Sequence, residues 1–238
     1  MCIAILNNGN IISEEHFKTS LIFNPEGFGM SYIEKGKLQV FRSLSSDFKS
    51  LYARYKKVFN STQYPILLHF RIGTSGGVNL ENCHPFYINK ESVFCHNGII
   101  DNYGSKNMSD TREFNRDILS KFSSEDLFSN DALKELISTY IGYSKFILFN
   151  NKGEFTIYNE DLGHWDNNNN WFSNKSYLPY KQSDKGWAKH INVEAELNNF
   201  GKCESCLEYS NIEYNIEYKL DICNECTEFY SNNEFKKW

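Results

Sequence analysis

Met1-Cys2-Ile3-Ala4-Ile5-Leu6 opens the chain and places a cysteine directly before an apolar run. The run predicts a short buried strand that ends at the polar residues that follow it. Cysteine is small enough at position two for the initiator methionine to be removed, which would leave Cys2 with a free α-amine. Such a residue carries a thiol nucleophile and its own base, since an N-terminal amine has a pKa of about 7.7–8. Taken alone, Cys2 is better explained as a chance residue in front of a buried strand.

The elements that follow predict an α+β protein. Apolar runs bounded by turn-forming residues predict the strands, and apolar residues near 3.6-residue spacing predict the helices. The predicted strands cover residues 27–32, 37–41, 65–70, 92–96, 145–149 and 154–158, with a strand-like piece at 171–174. One helix is predicted to begin at Ser13, and three others are predicted over residues 46–59, 110–121 and 130–140. This order favours one domain with a large sheet, followed by a small C-terminal module.

Composition excludes several classes of protein. A chain of 238 residues with 40% hydrophobic and 16% aromatic residues is typical of a packed globule. The net charge of −5 disfavours a broad nucleic-acid-binding surface. The sequence starts without the basic and apolar regions of a signal peptide, and no apolar run is long enough to span a membrane. We therefore expect a soluble cytoplasmic protein that binds neither membranes nor nucleic acid.

Five short segments stand in an informative order along the first half of the chain. They are Met1-Cys2-Ile3-Ala4, Leu68-His69-Phe70-Arg71-Ile72-Gly73-Thr74, Asn82-Cys83-His84-Pro85-Phe86, His96-Asn97-Gly98-Ile99-Ile100-Asp101-Asn102 and Ser109-Asp110-Thr111. Each segment alone is a weak signal, but together the chain resembles the class II glutamine amidotransferase domain, an N-terminal-nucleophile hydrolase whose mature first residue is cysteine. A looser match at Trp171-Phe172-Ser173-Asn174 extends the resemblance over roughly residues 2–180. The resemblance implies a four-layer αββα fold.

The same resemblance implies catalytic roles for Cys2, Asn97 and Gly98. Cys2 would attack the side-chain amide of glutamine, and its α-amine would act as general base and later protonate the leaving ammonia. No histidine partner is needed for this chemistry. The Asn97 side-chain amide and the Gly98 N–H would form the oxyanion hole. Without the neighbouring segments, Asn97-Gly98 is better interpreted as a type I′ hairpin turn.

The resemblance also implies a substrate pocket. Arg71 would bind the α-carboxylate of glutamine, Asp110 its α-ammonium group, and Thr74 would line the same pocket. The alternative for Arg71 is a surface ion pair, and the alternative for Asp110 is a helix N-cap. The chain departs from the family at Ile72, where many relatives have an aromatic residue, and at Ser75, where some have histidine.

The seven cysteines are divided unevenly along the chain, and four of them form two CxxC pairs near its end. Four thiolates with this spacing suit a closed tetrahedral site for structural Zn²⁺, with a β-hairpin between Tyr209 and Leu220. A redox dithiol and an iron–sulfur cluster are the alternatives. Cys83 and Cys95 are interpreted as small core residues, and His84 as structural. The predicted zinc ligands are Cys203, Cys206, Cys223 and Cys226.

These observations predict a glutaminase-type domain over residues 2–180, a linker over 181–200 and a zinc module over 201–238. The segment after the first domain is too short for a second active-site domain. Our hypothesis is therefore that the chain hydrolyses glutamine and supplies ammonia to a partner synthase, with the zinc module as a candidate docking element. One alternative is a stand-alone hydrolase of a γ-glutamyl compound or another small amide. Another is a catalytically silent zinc-binding adaptor on the same fold.

Overall fold

The computed structural model describes residues 2–73 and 77–179, together with the backbone of three strands further along the chain. The chain divides into two compact units, residues 1–179 and residues 180–238. The three strands belong to the second unit and pair antiparallel in chain order. They are β11 (Phe200–Lys202), β12 (Tyr209–Asn215) and β13 (Leu220–Cys223). β12 and β13 pair over Ile212–Asn215 and Leu220–Cys223, so the second strand begins at the residue where the predicted hairpin ends.

The zinc prediction is not tested by this structure. Cys203, Cys206 and Cys226 lie outside the described residues. Cys223 is the last residue of β13, and only its backbone is described. The four-cysteine site therefore remains a prediction from spacing.

Two antiparallel sheets form the first unit. One has six strands in the order β3-β2-β4-β1-β10-β9, and the other has four in the order β5-β6-β7-β8. The strands of the first sheet are β1 (Ile3–Asn7), β2 (Phe28–Glu34), β3 (Lys37–Ser43), β4 (Ile66–Phe70), β9 (His164–Trp165) and β10 (Asn170–Phe172). Those of the second are β5 (Phe86–Tyr87), β6 (Ser92–Asn97), β7 (Lys145–Asn150) and β8 (Phe155–Tyr158).

Five α-helices accompany these sheets in the described part of the first unit, and none of them is long and apolar enough to cross a membrane. They are α1 (Glu14–Phe23), α2 (Phe48–Phe59), α3 (Asp110–Asp117), α4 (Ser124–Ser129) and α5 (Asp131–Tyr140). The helix predicted over 110–121 is shorter than expected, because α3 ends at Asp117 and a 3-10 turn follows at Leu119–Lys121. The six-residue helix α4 was not predicted.

The side chains of β1 show why this strand is apolar along its whole length. Ile3 and Ile5 pack in a cluster with α1 and α2, whereas Ala4 and Leu6 pack in a second cluster against the other sheet. Successive side chains of a strand point to opposite faces of its sheet. A strand buried on both faces needs apolar residues at every position rather than alternation. β1 therefore lies in the interior of the unit.

The second sheet divides its side chains in the same way. Val93 and Ile147 face the first sheet, and Phe94 and Phe146 pack in a third cluster with residues of α3, α4 and α5. The layers are therefore helices, sheet, sheet and helices. The predicted α+β class is confirmed. The order of the elements alone suggested one large sheet and was wrong on that point, whereas the four-layer arrangement implied by the resemblance has the two antiparallel sheets that are observed.

Candidate active site

Strand register brings Cys2 beside Arg71. β1 and β4 run antiparallel with Ile3 opposite Phe70, so the residue before β1 lies next to the residue after β4. The Cys2 Sγ donates a hydrogen bond to the Ile72 carbonyl oxygen at 3.2 Å, and the Ile72 N–H lies 3.4 Å from the same sulfur. The Asn174 side-chain amide donates to the Cys2 carbonyl oxygen at 2.8 Å. These contacts hold the cysteine at the end of the first sheet.

Four of the six predicted site residues line one small cavity. They are Cys2, Arg71, Gly98 and Asp110, and the remaining wall is formed by Ile72, His84, His96, Ser109 and Thr111. The cavity has a volume of about 20 Å³, which is room for about one water molecule. A ligand the size of glutamine therefore requires part of the wall to move. Thr74 lies outside the described residues.

The Cys2 thiol is held in its protonated form. Burial raises its pKa above the usual value, and the hydrogen bond with Ile72 and the charge of Arg71 offset this only in part. Since the thiolate is the nucleophilic form of cysteine, Cys2 needs a base close by in order to react. The identity of that base is the main chemical question at this site.

His84 and His96 line the cavity, and the buried His69 packs against His84 with ring centroids 3.9 Å apart; none of the three is cationic near neutral pH. Burial lowers the pKa of His69 to about 3 and that of His96 to about 4, and it lowers the pKa of His84 well below its usual range. The His69 Nε2 donates to the His96 carbonyl oxygen at 3.0 Å, which joins the two sheets. The His96 N–H donates to the His84 Nδ1 at 3.3 Å. These contacts agree with a structural role for His84, and no imidazolium is available to stabilise a Cys2 thiolate.

Asn97 and Gly98 lie at the end of a strand rather than in a hairpin. Asn97 is the last residue of β6 and pairs with Lys145 of β7, so the dipeptide does not join two paired strands. The type I′ alternative is therefore wrong. Gly98 has a φ of +148°, and a Cβ at this position would overlap the Ser144 side chain. Glycine therefore suits this backbone conformation best, and Gly98 forms part of the cavity wall.

Arg71 is buried, with 4% of its surface exposed. Its Nη2 donates to the Gly77 carbonyl oxygen at 3.0 Å. A surface ion pair therefore does not describe this residue, and that alternative is wrong. The guanidinium instead presents a positive charge inside the protein, next to the cysteine.

Asp110 is also buried, with 5% of its surface exposed, and it is the first residue of α3. The N-cap is Ser109, whose side chain accepts a hydrogen bond from the Arg112 N–H, so the N-cap alternative for Asp110 is wrong. The carboxylate of Asp110 accepts from the Ile100 and Thr111 N–H groups, each at 2.8 Å. A negative charge is favourable at a helix N-terminus.

The structure adds residues to which the sequence analysis assigned no role at the site. Ile72, Ser109 and Thr111 line the cavity, and each is a chain neighbour of a predicted residue. Their position next to Arg71 and Asp110 in the chain could therefore have predicted that they line the same cavity. Ser173 contacts Asn97, and no pattern in the sequence connects these two residues.

Comparisons with known proteins point to one family. Residues 18–119 match the family model of class-II glutamine amidotransferases. A protein of Haemophilus influenzae named "Putative glutamine amidotransferase" is 34% identical over 80 residues. That alignment covers 32% of this chain and 27% of the relative, so the chain spans about a quarter of the relative's length.

A solved structure is also similar, though distantly. It is a glutamine aminotransferase class-II domain protein from Silicibacter pomeroyi, with 14% sequence identity and a TM-score of 0.37. The similarity covers 72% of this chain and 87% of that chain. A TM-score at this level is too low to support an argument about the fold.

The family match covers residues 18–119, so this part of the chain is similar to class-II glutamine amidotransferases. The matched range includes Arg71, Asn97, Gly98 and Asp110. It begins after Cys2, so it does not bear on the nucleophile.

Proposed function

We propose that this chain hydrolyses the side-chain amide of glutamine through Cys2 and supplies the ammonia to a partner synthase. One observation carries the proposal. The Cys2 thiol, the Arg71 guanidinium and the Asp110 carboxylate line the same cavity within a domain that is similar to this family. A nucleophile and two opposite charges are what recognition and cleavage of a zwitterionic amino-acid amide require.

Substrate recognition follows from the two charges. Glutamine carries an α-carboxylate and an α-ammonium group at the end remote from its amide. The planar guanidinium of Arg71 can bind the carboxylate through two parallel hydrogen bonds, and the Asp110 carboxylate can accept from the ammonium group. Both protein charges are buried, so a zwitterionic ligand would interact with them strongly.

Hydrolysis would proceed through a thioester. The α-amine of Cys2 accepts the thiol proton while Sγ attacks the amide carbon of glutamine, which forms a tetrahedral intermediate. The carbon–nitrogen bond then breaks, and the protonated α-amine returns the proton to the leaving ammonia. Water hydrolyses the thioester to glutamate and restores the thiol. The raised pKa of Cys2 calls for a base, and the lowered pKa values of the three histidines make them weak bases, which supports a base carried by Cys2 itself.

The proposal extends to three further features: an N-terminal-nucleophile hydrolase fold, an oxyanion hole and a partner synthase. The observed layers of helices, sheet, sheet and helices are those that such a hydrolase requires. The Gly98 N–H and the Asn97 amide would bind the oxyanion of the tetrahedral intermediate. Transfer of ammonia to a partner is supported by the family alone, and docking through a zinc module rests on cysteine spacing alone.

The proposal is tested by labelling with 6-diazo-5-oxo-norleucine, a glutamine analogue that alkylates the nucleophile, followed by mass spectrometry. We expect one adduct, on Cys2, in a chain that has lost Met1, together with glutamine-dependent release of glutamate and ammonia. Labelling that persists in Cys2→Ala, or full labelling with Met1 retained, would contradict the mechanism. Faster hydrolysis of a γ-glutamyl compound than of glutamine would favour the stand-alone hydrolase. An intact protein with neither labelling nor turnover would favour the silent adaptor.

The role of Arg71 predicts a specific effect on substrate affinity. Arg71→Lys keeps the positive charge but loses the planar fork, so we expect kcat/KM for glutamine to fall about 30-fold, or about 2 kcal/mol. Arg42→Lys is the matched control, because Arg42 is half-buried but lies outside the cavity, where it donates to the Pro85 carbonyl oxygen. Steady-state kinetics with glutamine and with 4-aminobutanamide, which lacks the α-carboxylate, measure the effect. An equal loss on both substrates would show that Arg71 does not bind the carboxylate.

A further inference from the structure

The side chain of Asn97 makes one hydrogen bond in the described structure, and its partner is a buried serine. Asn97 is 1% exposed, and its Nδ2 lies 2.7 Å from the Oγ of Ser173, which is fully buried. Ser173 follows β10 in the first sheet, whereas Asn97 ends β6 in the second sheet. The contact therefore joins the two sheets next to the candidate active site, because both chain neighbours of Asn97 line the cavity, although Asn97 itself is not among the lining residues.

Ser173 is itself fixed to the strand that carries the nucleophile. Its Oγ accepts a hydrogen bond from the Ala4 N–H at 2.9 Å, and its own N–H donates to the Ala4 carbonyl oxygen at 3.0 Å. Ala4 is two residues after Cys2. The serine hydroxyl thus has a fixed position relative to both Asn97 and the start of β1.

When the Asn97 Nδ2 faces Ser173, the serine hydroxyl proton and the Asn97 Oδ1 both lack a hydrogen-bond partner among the described residues. The serine oxygen then accepts two hydrogen bonds, and its hydroxyl proton has no acceptor among the described residues. The Asn97 Oδ1 is buried and has no hydrogen-bond partner in the same part of the chain. Leaving a buried polar group unpaired costs about 1–3 kcal/mol.

A half-turn of the Asn97 amide about the Cβ–Cγ bond pairs the serine hydroxyl proton with Oδ1, and it makes Nδ2 the buried group whose hydrogens need an acceptor. Ser173 then donates its hydroxyl proton to Oδ1 and still accepts from the Ala4 N–H, so each polar atom of the serine side chain is paired. The same rotation places Nδ2 where Oδ1 lay, with its hydrogens directed away from the serine. Only this orientation offers a donor to an oxyanion, since the amide oxygen would repel negative charge.

We infer that Ser173 is a positioning residue that orients the Asn97 amide so that Nδ2 can stabilise the oxyanion formed during glutamine hydrolysis. The inference rests on the proposed function and adds a residue to it. Ser173 touches neither the substrate nor the reacting atoms, and it acts through Asn97. Its hydrogen bonds to Ala4 keep the donor in register with the Cys2 nucleophile.

The test is a double-mutant cycle on glutamine turnover. We expect Asn97→Ala to lower kcat by about 10²–10³-fold, as the loss of an oxyanion donor does elsewhere. Ser173→Ala should lower kcat by about 10-fold with KM nearly unchanged, because one neutral hydrogen bond orients the amide. In the double variant, Ser173→Ala should add no further loss, since no amide is left to orient.

Three controls separate positioning from a general structural effect. Ser31→Ala removes another fully buried serine of the first sheet, one that donates to the Gln39 carbonyl oxygen, and it should leave kcat unchanged. Ser173→Thr keeps the hydroxyl and should restore most of kcat, and Ser173→Cys serves if the threonine variant does not fold. Alkylation of Cys2 by iodoacetamide forms no oxyanion, so its rate should be the same in Ser173→Ala and in the wild type.

Additive losses in the double variant, or an unchanged kcat in Ser173→Ala, would overturn the role of Ser173. Wild-type protein that lacks Cys2-dependent glutamine turnover would instead reject the proposed function and the inference with it. Additive losses or an unchanged kcat can be observed only if the wild-type protein is active, whereas failure of the proposed function means that the wild type is inactive. The two failures are therefore distinguishable.

Discussion

Blocking the α-amine of Cys2 is expected to abolish glutamine hydrolysis, with a loss of about 10⁴-fold or more in kcat, comparable to the loss of a catalytic nucleophile. The thiol has a raised pKa, and the lowered pKa values of the nearby histidines make them weak bases, so under the proposed mechanism the amine takes the thiol proton. The measurement uses a chain with an N-terminal extension that a site-specific protease removes directly before Cys2. Glutamate release is followed before and after cleavage of the same preparation.

Two variants make this result specific. Cys2→Ala should be inactive before and after cleavage, because it has no nucleophile. Cys83→Ala is the matched control, since Cys83 is a buried cysteine that does not line the cavity, and it should gain activity on cleavage as the wild type does. Turnover by the uncleaved chain at the rate of the cleaved chain would show that the base is another group.

Acid is expected to destabilise the fold steeply below pH 6.5. His69 and His96 are buried in their neutral forms, with a pKa of about 3 and about 4, whereas an unfolded histidine has a pKa of about 6.5. Their stabilising contribution is complete above pH 6.5 and is lost as the pH falls from there towards these lower values, because the unfolded chain binds protons first. At pH 5 the burial of His69 and of His96 should each lower the unfolding free energy by about 2 kcal/mol relative to its value above pH 6.5. The lowered pKa of His84 acts in the same direction.

Urea unfolding at pH 7, 6 and 5 measures this effect. His69→Gln should reduce the proton uptake on unfolding at pH 5 by about one, whatever its stability at pH 7. Leu67→Ala removes buried packing from the same sheet and should lower stability equally at each pH. An unfolding free energy that does not change between pH 7 and pH 5 would mean that these histidines are not held neutral.

The main elements could be predicted from the sequence because their patterns are local. The apolar run at the start became β1, and the helical spacing over 46–59 became α2 (Phe48–Phe59). The predictions failed where the signal was short. The two-residue strands β5 and β9 and the helix α4 are too brief for periodicity to reveal, and pairing or packing with distant residues stabilises them.

The residue types of the candidate site could be predicted from the sequence, but the alternatives that the local sequence suggested for two of the positions were wrong. Asp110 fits an N-cap by residue type, yet Ser109 takes that position and leaves Asp110 facing the cavity. Asn97-Gly98 fits a hairpin turn, yet β6 pairs with a strand far along the chain. In both cases tertiary contacts decided between two conformations that the local sequence allows.

The sequence by itself determined the order of the motifs, the apolar strands and the residue types that the chemistry requires, because these depend on composition and spacing along the chain. Only the tertiary structure decided which of those residues meet. The antiparallel pairing of β1 with β4 sets Cys2 beside Arg71, and the packing of the two sheets sets Asn97 against Ser173. Strand pairing and the satisfaction of buried hydrogen bonds act between segments far apart in the chain, so no local pattern records them.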